Sequence, residues 1–221
     1  MLKEPLANLS VRLPYARLNL VRRELSRYSG GTILDLGCGD GYSTSILMRG
    51  LSGFQLTGLD AGESALQVAY ACGIYGEFIR CDVRDAAKWG AYDIILACEI
   101  IEHLPKQDGV DLLESLEKTA RKCIIVTSPP HLNRKREGTE EEDVAFKLCL
   151  HKGKPWEMPH VSVWKSEDYR KLGYQVYGAN GAYIRGIPYV GMILAKWAYS
   201  HPDYANSIVA IKRMGGKYAE N

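Results

Sequence analysis

The feature that most constrains this chain is a regular alternation of short apolar strands with amphipathic helices between Thr32 and Ser128. The predicted strands are Thr32–Leu36, Phe54–Leu59, Glu77–Cys81, Tyr92–Cys98 and Cys123–Thr127. The helices expected between them cover about residues 41–50, 63–72, 83–88 and 106–120. Apolar strands joined by helices form a parallel sheet that is covered by helices on both faces. The central part of the chain is therefore predicted to be an α/β sandwich.

The rest of the 221-residue chain is expected to decorate this core within a single domain of residues 1–221, as the length allows. The parts are a helix at about 15–29, the core at about 31–128, and insertions at about 129–160 and 181–205. A helix at about 165–172 and a strand at Tyr174–Tyr177 are predicted between the insertions. A last strand is predicted at Ser207–Lys212.

Composition excludes several classes of protein. The 28 basic and 26 acidic residues give a net charge of +2, which argues against an extended phosphate-binding surface. The six cysteines include no CxxC pair, and several lie in apolar runs, so we interpret them as reduced thiols. No apolar run approaches the about 20 residues that span a bilayer, and the N-terminal residues lack a signal-peptide core. We therefore expect a cytoplasmic protein without a membrane partner.

The most informative motif is the glycine-rich stretch ILDLGCGDG at residues 33–41. It leads from the first strand into a helix, where doubly wound sheets bind ligands. Gly37, Gly39 and Gly41 allow a ligand to approach the backbone closely. Their spacing is GxGxG, whereas the dinucleotide fingerprint GxGxxG requires glycine at the position of Tyr42.

The charge of this turn indicates the kind of ligand. Asp35 and Asp40 flank it, and no lysine or arginine occurs between Tyr28 and Met48. A carboxylate about 5 Å from a phosphate would cost about 3 kcal/mol at an effective dielectric near 20. S-adenosylmethionine carries a sulfonium and an ammonium group and no phosphate. The acidic turn therefore favours this ligand over NAD.

Two further acids end the next predicted strands. Asp60 follows the second strand, where its carboxylate can accept hydrogen bonds from both ribose hydroxyls. NAD-binding enzymes place an acid similarly, so Asp60 alone does not separate the two ligands. Asp82 follows the third strand, where it can accept from an adenine amino group. Acids at the ends of three successive strands fit an adenosyl ligand along the carboxyl edge of the sheet.

Together, the segments LDLGCGDG, GLDA, CDV and DIILACEIIEHL resemble class I S-adenosylmethionine-dependent methyltransferases in motif, order and spacing. The resemblance covers about residues 31–128. EIIEHL is most similar to the branch that contains the ubiquinone-pathway O-methyltransferases. The resemblance implies an α/β fold, a Rossmann-like three-layer sandwich whose seven-stranded, mostly parallel sheet has an antiparallel last strand. That strand would be Ser207–Lys212.

The same resemblance implies that S-adenosylmethionine is the cofactor. The residues expected to bind it are Asp35, Gly37, Cys38, Gly39, Gly41, Asp60, Ala61, Asp82, Val83 and Glu99. Tyr15 or Arg17 of the first helix is expected to reach the bound donor.

His103 is the candidate catalytic residue, since it follows the fourth strand at a position that borders the donor's methyl group in this family. A neutral imidazole can take a proton from an acceptor hydroxyl near pH 7. A histidine that only orients the loop or packs below the donor is the alternative, and the sequence leaves both open.

A second interpretation uses more residues. If residues 99–103 form a helical turn, Glu99, Glu102 and His103 share one face, and His160 can approach from the later segment. Two carboxylates and two imidazoles suit Mg²⁺ or Mn²⁺. The set resembles that of small-RNA 3′-terminal 2′-O-methyltransferases, with Arg134, Lys135 and Arg136 as a phosphate contact. EHL also occurs in relatives without metal, and we therefore assign no metal from sequence.

Ser128-Pro129-Pro130-His131 is similar to the [DNS]PP[YFW] motif of amino-group DNA methyltransferases. That motif belongs after the fourth strand, whereas these residues follow the fifth. His131 also replaces the aromatic residue that would stack on a flipped base. Base methylation by this route is rejected.

Aromatic residues in and beside the insertions are candidates for an acceptor lid, because aromatic walls suit a flat or apolar ligand. They are Trp156, Trp164, Tyr183, Tyr189 and Trp197. The favoured alternative for any one of them is packing of the insertions onto the sheet.

The sequence thus predicts a methyltransferase that acts on a small-molecule oxygen or nitrogen. The alternatives are a metal-assisted RNA ribose 2′-O-methyltransferase and a non-catalytic S-adenosylmethionine-binding protein. A small-molecule acceptor is the expected partner, RNA is the alternative one, and the oligomeric state stays open.

Overall fold

A computed structural model describes residues 11–131, 160–182 and 193–215. They form one seven-stranded sheet in the order β3-β2-β1-β4-β5-β7-β6. The strands are β1 (Gly31–Leu36), β2 (Phe54–Asp60), β3 (Tyr75–Arg80), β4 (Tyr92–Cys98), β5 (Ala120–Ser128), β6 (Gln175–Ala182) and β7 (Ala205–Arg213). β7 runs antiparallel to both β5 and β6, and the other neighbours are parallel. The predicted Rossmann-like fold with an antiparallel last strand is confirmed.

Helices connect the strands. They are α1 (Arg17–Leu25), α2 (Tyr42–Met48), α3 (Glu63–Ala71), α4 (Lys106–Leu116), α5 (Ser166–Lys171) and α6 (Ala195–Ser200), with short 3-10 helices at Val83–Trp89, Ile101–His103 and Pro202–Tyr204. No helix among the described residues is long and apolar enough to cross a membrane.

The core lies on both faces of the sheet, because successive side chains of a strand point to opposite sides. In β4, Ile95 belongs to one apolar cluster with Leu113 of α4. Its neighbours Ile94 and Leu96 belong to the other cluster, with Val21 of α1. These central strands carry continuous apolar runs since both of their faces are buried.

The first helix differs from its prediction. It covers Arg17–Leu25 rather than about 15–29, and its buried residues are Leu20, Val21, Glu24 and Leu25. Glu24 is only 4% exposed because its carboxylate receives two hydrogen bonds of 2.7 Å from the Arg213 guanidinium of β7. Because the two residues lie 189 positions apart, no local sequence pattern predicts their contact.

Other elements begin or end a few residues from their predicted limits. β3 begins at Tyr75 rather than Glu77. The helix expected at 83–88 is a 3-10 helix from Val83 to Trp89. The insertion predicted at about 181–205 includes α6, which covers Ala195–Ser200.

Candidate active site

The glycine-rich turn begins where β1 ends at Leu36. Gly37, Gly39 and Gly41 have φ of 62°, 55° and 73°, the left-handed region that favours glycine. A Cβ on Gly37 would lie 2.6 Å from the Ile100 side chain. A Cβ on Gly39 would meet no described atom within 4 Å. The backbone at Gly39 therefore faces open space at the carboxyl edge of the sheet.

Asp60, at the end of β2, is tied to this turn. Its two carboxylate oxygens accept hydrogen bonds from the backbone N–H groups of Gly39 (2.9 Å) and Gly62 (2.8 Å). Burial raises the pKa of Asp60, and these hydrogen bonds oppose the rise. The carboxylate is thereby held at the edge of the open turn, and Ala61 follows it between β2 and α3.

Asp35, in β1, is the most buried acid of the turn. Its side chain is 2% exposed, and Oδ2 accepts a 2.6 Å hydrogen bond from the Tyr75 hydroxyl of β3. Burial raises the pKa of Asp35 to about 6, although hydrogen bonds from Tyr75 and Thr44 lower it. The thiol of Cys38 lies in the same turn, and burial raises its pKa as well.

Asp82 follows β3 and caps the next 3-10 helix. Its Oδ1 accepts from the Arg84 backbone N–H at 3.0 Å and from Arg84 Nε at 2.8 Å, and Oδ2 pairs with Arg84 Nη2. Arg84 also reaches Asp108 of α4 at 3.0 Å. Val83, 3% exposed, packs into the core beside them. Arg84 was not predicted from the sequence, where its only distinguishing feature is its position two residues after Asp82.

Glu99 follows β4 with a φ of 56°, unusual for a residue with a side chain. Its Oε1 lies 2.8 Å from Arg17 Nη1 and accepts a 3.0 Å hydrogen bond from the Thr127 hydroxyl. Burial raises the pKa of Glu99, but Arg17 and Thr127 outweigh that effect and the net change is downward. This acid is therefore charged at neutral pH and joined to α1.

Glu102, His103 and His160 form a buried cluster beside Glu99. One ligand atom from each lies within 4.8 Å of the others, and the three residues are at most 8% exposed. His160 Nε2 is 4.0 Å from Glu102 Oε1, and the two imidazole rings pack edge to face at 5.0 Å. The chemistry of two imidazoles and one carboxylate suits a divalent transition metal.

Backbone contacts bring His160 to this cluster. The N–H groups of Val161 and Ser162 donate to the Glu102 carbonyl at 2.9 and 3.1 Å. Trp164 Nε1 donates to the Ser162 hydroxyl at 3.0 Å, and Lys106 Nζ lies 3.8 Å above the Trp164 ring. The segment from residue 160 is thus fastened to the 3-10 helix after β4.

The structure brings together three of the four residues in the metal interpretation. Glu99 lies outside the cluster, where it pairs with Arg17. Arg134, Lys135 and Arg136, the phosphate contact of the same interpretation, lie outside the described residues.

Two of the five lid aromatics are described, and they differ. Trp164 is fully buried in the core against Tyr169, with rings 5.2 Å apart, so it packs rather than lines an open site. Trp197 is 44% exposed and stacks on His201 at 4.5 Å. Trp156, Tyr183 and Tyr189 lie outside the described residues. Ser128 ends β5, so the SPPH motif does follow the fifth strand.

The fold and this edge define a Rossmann-like α/β protein with a glycine-rich turn and acids at successive strand ends. Residues 33–122 match the family described as a methyltransferase domain. Over 151 residues the chain is 30% identical to the ubiquinone biosynthesis O-methyltransferase of Escherichia coli O127:H6 (strain E2348/69 / EPEC), covering 66% of this chain. The chain spans only 54% of that relative's length.

Solved structures share the fold at lower identity. Magnesium protoporphyrin IX methyltransferase from Synechocystis PCC 6803, with bound SAH, has a TM-score of 0.57 and 17% identity over 90% of this chain and 81% of that chain. The methyltransferase domain of bacterial CtHen1-C has a TM-score of 0.56 and 19% identity over 91% of this chain and 98% of that chain. The chain is therefore similar to class I S-adenosylmethionine-dependent methyltransferases, in sequence over residues 33–122 and in fold over the described residues.

Proposed function

We propose that this chain binds S-adenosylmethionine and transfers its methyl group to an oxygen or nitrogen of a small molecule. The observation that carries the proposal is the arrangement at the carboxyl edge of the sheet. Asp35, Asp60 and Asp82 stand at or beside the ends of β1, β2 and β3, and Asp60 bonds the Gly39 backbone, which faces open space. We propose these residues, within a single domain of residues 1–221, as the donor site.

The donor has complementary groups for this edge. Asp60 accepts backbone hydrogen bonds from Gly39 and Gly62, and a carboxylate has about four acceptor sites, so it can also accept from a ribose hydroxyl. The buried carboxylate of Asp35 attracts a cation, which suits the donor's ammonium group. Asp82, oriented by Arg84, is proposed for the adenine amino group.

The bound donor supplies an activated methyl group, so the protein's task is to align the acceptor and exclude water. His103 is proposed as the base that accepts the acceptor's proton. Its ring is 8% exposed and packs on His160, which limits its motion. If the acceptor atom has no proton to lose, no base is required, and His103 would only help to position the acceptor.

Binding and transfer test this proposal separately. The protein is titrated with S-adenosylhomocysteine and then incubated with S-adenosylmethionine labelled on the methyl group and a panel of phenols, catechols, carboxylic acids and amines. Micromolar binding with label transferred to at least one member supports the proposal. Binding without transfer to any acceptor supports a donor-binding protein without catalysis. No binding overturns the proposal.

The Glu102–His103–His160 cluster favours a second candidate, a metal-assisted ribose 2′-O-methyltransferase of RNA. In this version the three residues hold a divalent ion, which would make a ribose hydroxyl more acidic. The test is transfer to a short RNA after chelation and after addition of Mn²⁺. Transfer to RNA that requires Mn²⁺ supports this candidate, and metal-independent transfer to a small molecule rejects it.

A further inference from the structure

Tyr75 reaches the donor edge although sequence reasoning placed it before the third strand and gave it no role. It begins β3, two strands away from β1, yet its hydroxyl donates a 2.6 Å hydrogen bond to Asp35 Oδ2. The ring packs against Phe78 at 5.2 Å. A Cβ on Gly41 would lie 2.9 Å from Tyr75 Cε2, so the glycine at that position leaves room for the ring.

In this hydrogen bond Tyr75 is the donor and Asp35 is the acceptor. Burial and the neighbouring Asp35 raise the pKa of Tyr75 far above its ordinary value, so the phenol keeps its proton and acts as donor. Asp35 is 2% exposed, and a carboxylate so buried tends to take up a proton. A hydrogen bond to the charged form opposes that tendency.

We propose that Tyr75 is a positioning residue of the donor site, whose hydroxyl holds the Asp35 carboxylate in place and in its charged form for the ammonium group of the donor. This inference rests on the proposed function, since it assigns Asp35 to the donor. Tyr75 itself acts only through Asp35.

The other groups that face Asp35 are Asp60 of β2, Thr44 of α2, Cys38 of the turn and Cys98 of β4. Burial raises the pKa of Cys98 to about 12 and that of Cys38 further, so both thiols stay neutral at physiological pH. The charge of Asp60 disfavours the charged form of Asp35. The Asp60 carboxylate accepts its hydrogen bonds from backbone N–H groups, and the Asp35 carboxylate accepts one from the Tyr75 hydroxyl.

The test is the pH dependence of S-adenosylhomocysteine binding between pH 5.5 and 8 for wild type and Tyr75→Phe. Loss of one hydrogen bond to a charged group shifts the pH midpoint of binding upward by about one unit. The variant then binds about fivefold more weakly at pH 6 and nearly as well as wild type at pH 8. Tyr70→Phe, a change on the exposed side of α3, serves as matched control and should reproduce the wild-type curve.

If S-adenosylhomocysteine binding to Tyr75→Phe has the same pH dependence as binding to wild type, this inference is overturned, even if the variant binds more weakly at every pH. A role in packing alone would not change the pH dependence. Thr44→Val removes the second hydrogen bond to Asp35 and should shift the midpoint in the same direction. If wild type itself binds no S-adenosylhomocysteine at pH 8, the proposed function fails, and this inference fails with it.

Discussion

Arg17 Nη1 lies 2.8 Å from Glu99 Oε1, so the first helix is joined by an ion pair to the loop that follows β4. The same guanidinium lies 3.5 Å from the Thr127 hydroxyl of β5. The Arg17 backbone N–H donates to Asn180 Oδ1 of β6 at 2.9 Å. The start of α1 is therefore fastened to the carboxyl ends of β4 and β5 and to β6, beside the proposed donor site.

Replacing Arg17 by methionine should lower the free energy of unfolding by about 0.5–1 kcal/mol at pH 7. The value is modest because the Glu99 side chain is 38% exposed and solvent screens the pair. The pair lowers the pKa of Glu99 in the folded state, so its contribution is present above the ordinary value of 4.5 and is lost as the pH falls through the lowered one.

Urea denaturation at pH 7 and pH 3 measures this difference. Arg80→Met is the control, because the Arg80–Glu63 pair is exposed on both sides and should contribute nothing measurable. An Arg17→Met effect that is equally large at pH 3 would show that the ion pair is not its origin.

Asp35→Asn is expected to stabilise the free protein. The folded pKa of about 6 lies above the ordinary 3.8, so the folded state is penalised when the group is charged. Removing the charge should raise the free energy of unfolding by about 1–3 kcal/mol at pH 8. The gain should shrink as the pH falls from 6 to 3.8 and Asp35 takes up a proton.

Thermal unfolding at pH 8 and pH 4 tests this expectation. Asp111→Asn, on the exposed face of α4, is the control and should change stability little at either pH. The same Asp35→Asn protein should bind S-adenosylhomocysteine more weakly, which links its stability to a loss of function. A destabilised variant at pH 8 would contradict the account of this acid.

Gly109→Ala should destabilise the protein although alanine favours helices. A Cβ at position 109 would lie 2.4 Å from Trp164 Cζ2. The Trp164 ring is fully buried and hydrogen-bonded to Ser162, so it has little room to move. Overpacking of about 1–3 kcal/mol outweighs a helix gain of about 1 kcal/mol.

Gly76→Ala is the matched control, since its added Cβ would find its nearest atom at 3.9 Å. Urea denaturation of both variants gives the comparison. Equal stabilities for the two alanine variants would mean that the space between α4 and Trp164 accommodates a methyl group.

His160→Ala should abolish a Mn²⁺-dependent rise in melting temperature if the cluster with Glu102 and His103 holds a metal. Loss of one of three ligands leaves an incomplete site, so the expected loss of affinity is at least about tenfold. His201→Ala, on the exposed aromatic stack with Trp197, is the control and should keep the wild-type response. A wild-type protein whose melting temperature does not respond to Mn²⁺ would reject the metal interpretation.

Much of the fold was predictable because the strand pattern and the glycine-rich turn are local in sequence. Leu34 and Ile95, for example, lie in continuous apolar runs and are buried as expected. The partners of charged residues were not predictable in this way. Glu24 is buried in the first helix, and the residue that pairs with its carboxylate, Arg213, lies 189 positions further along the chain.

The candidate site shows the same limit. The acids at strand ends could be named from sequence, since the carboxyl ends of parallel strands meet at one edge. Tyr75 could not be named in this way, because only the folded position of its side chain brings the hydroxyl from β3 to Asp35. Likewise, Glu99 is three residues before Glu102, but it has a positive φ, pairs with Arg17 and is not part of the cluster of Glu102, His103 and His160.

The most direct test of the central claim is calorimetric titration of S-adenosylhomocysteine into wild type, Asp60→Ala and the surface control Asp85→Ala. Asp60 holds the turn through Gly39, and its hydrogen bonds as a charged acceptor contribute about 1.5–3 kcal/mol each. We expect micromolar binding to wild type and Asp85→Ala, and at least about 100-fold weaker binding to Asp60→Ala. Absence of binding to wild type, or equal binding by all three proteins, would contradict the assignment of this edge to the methyl donor.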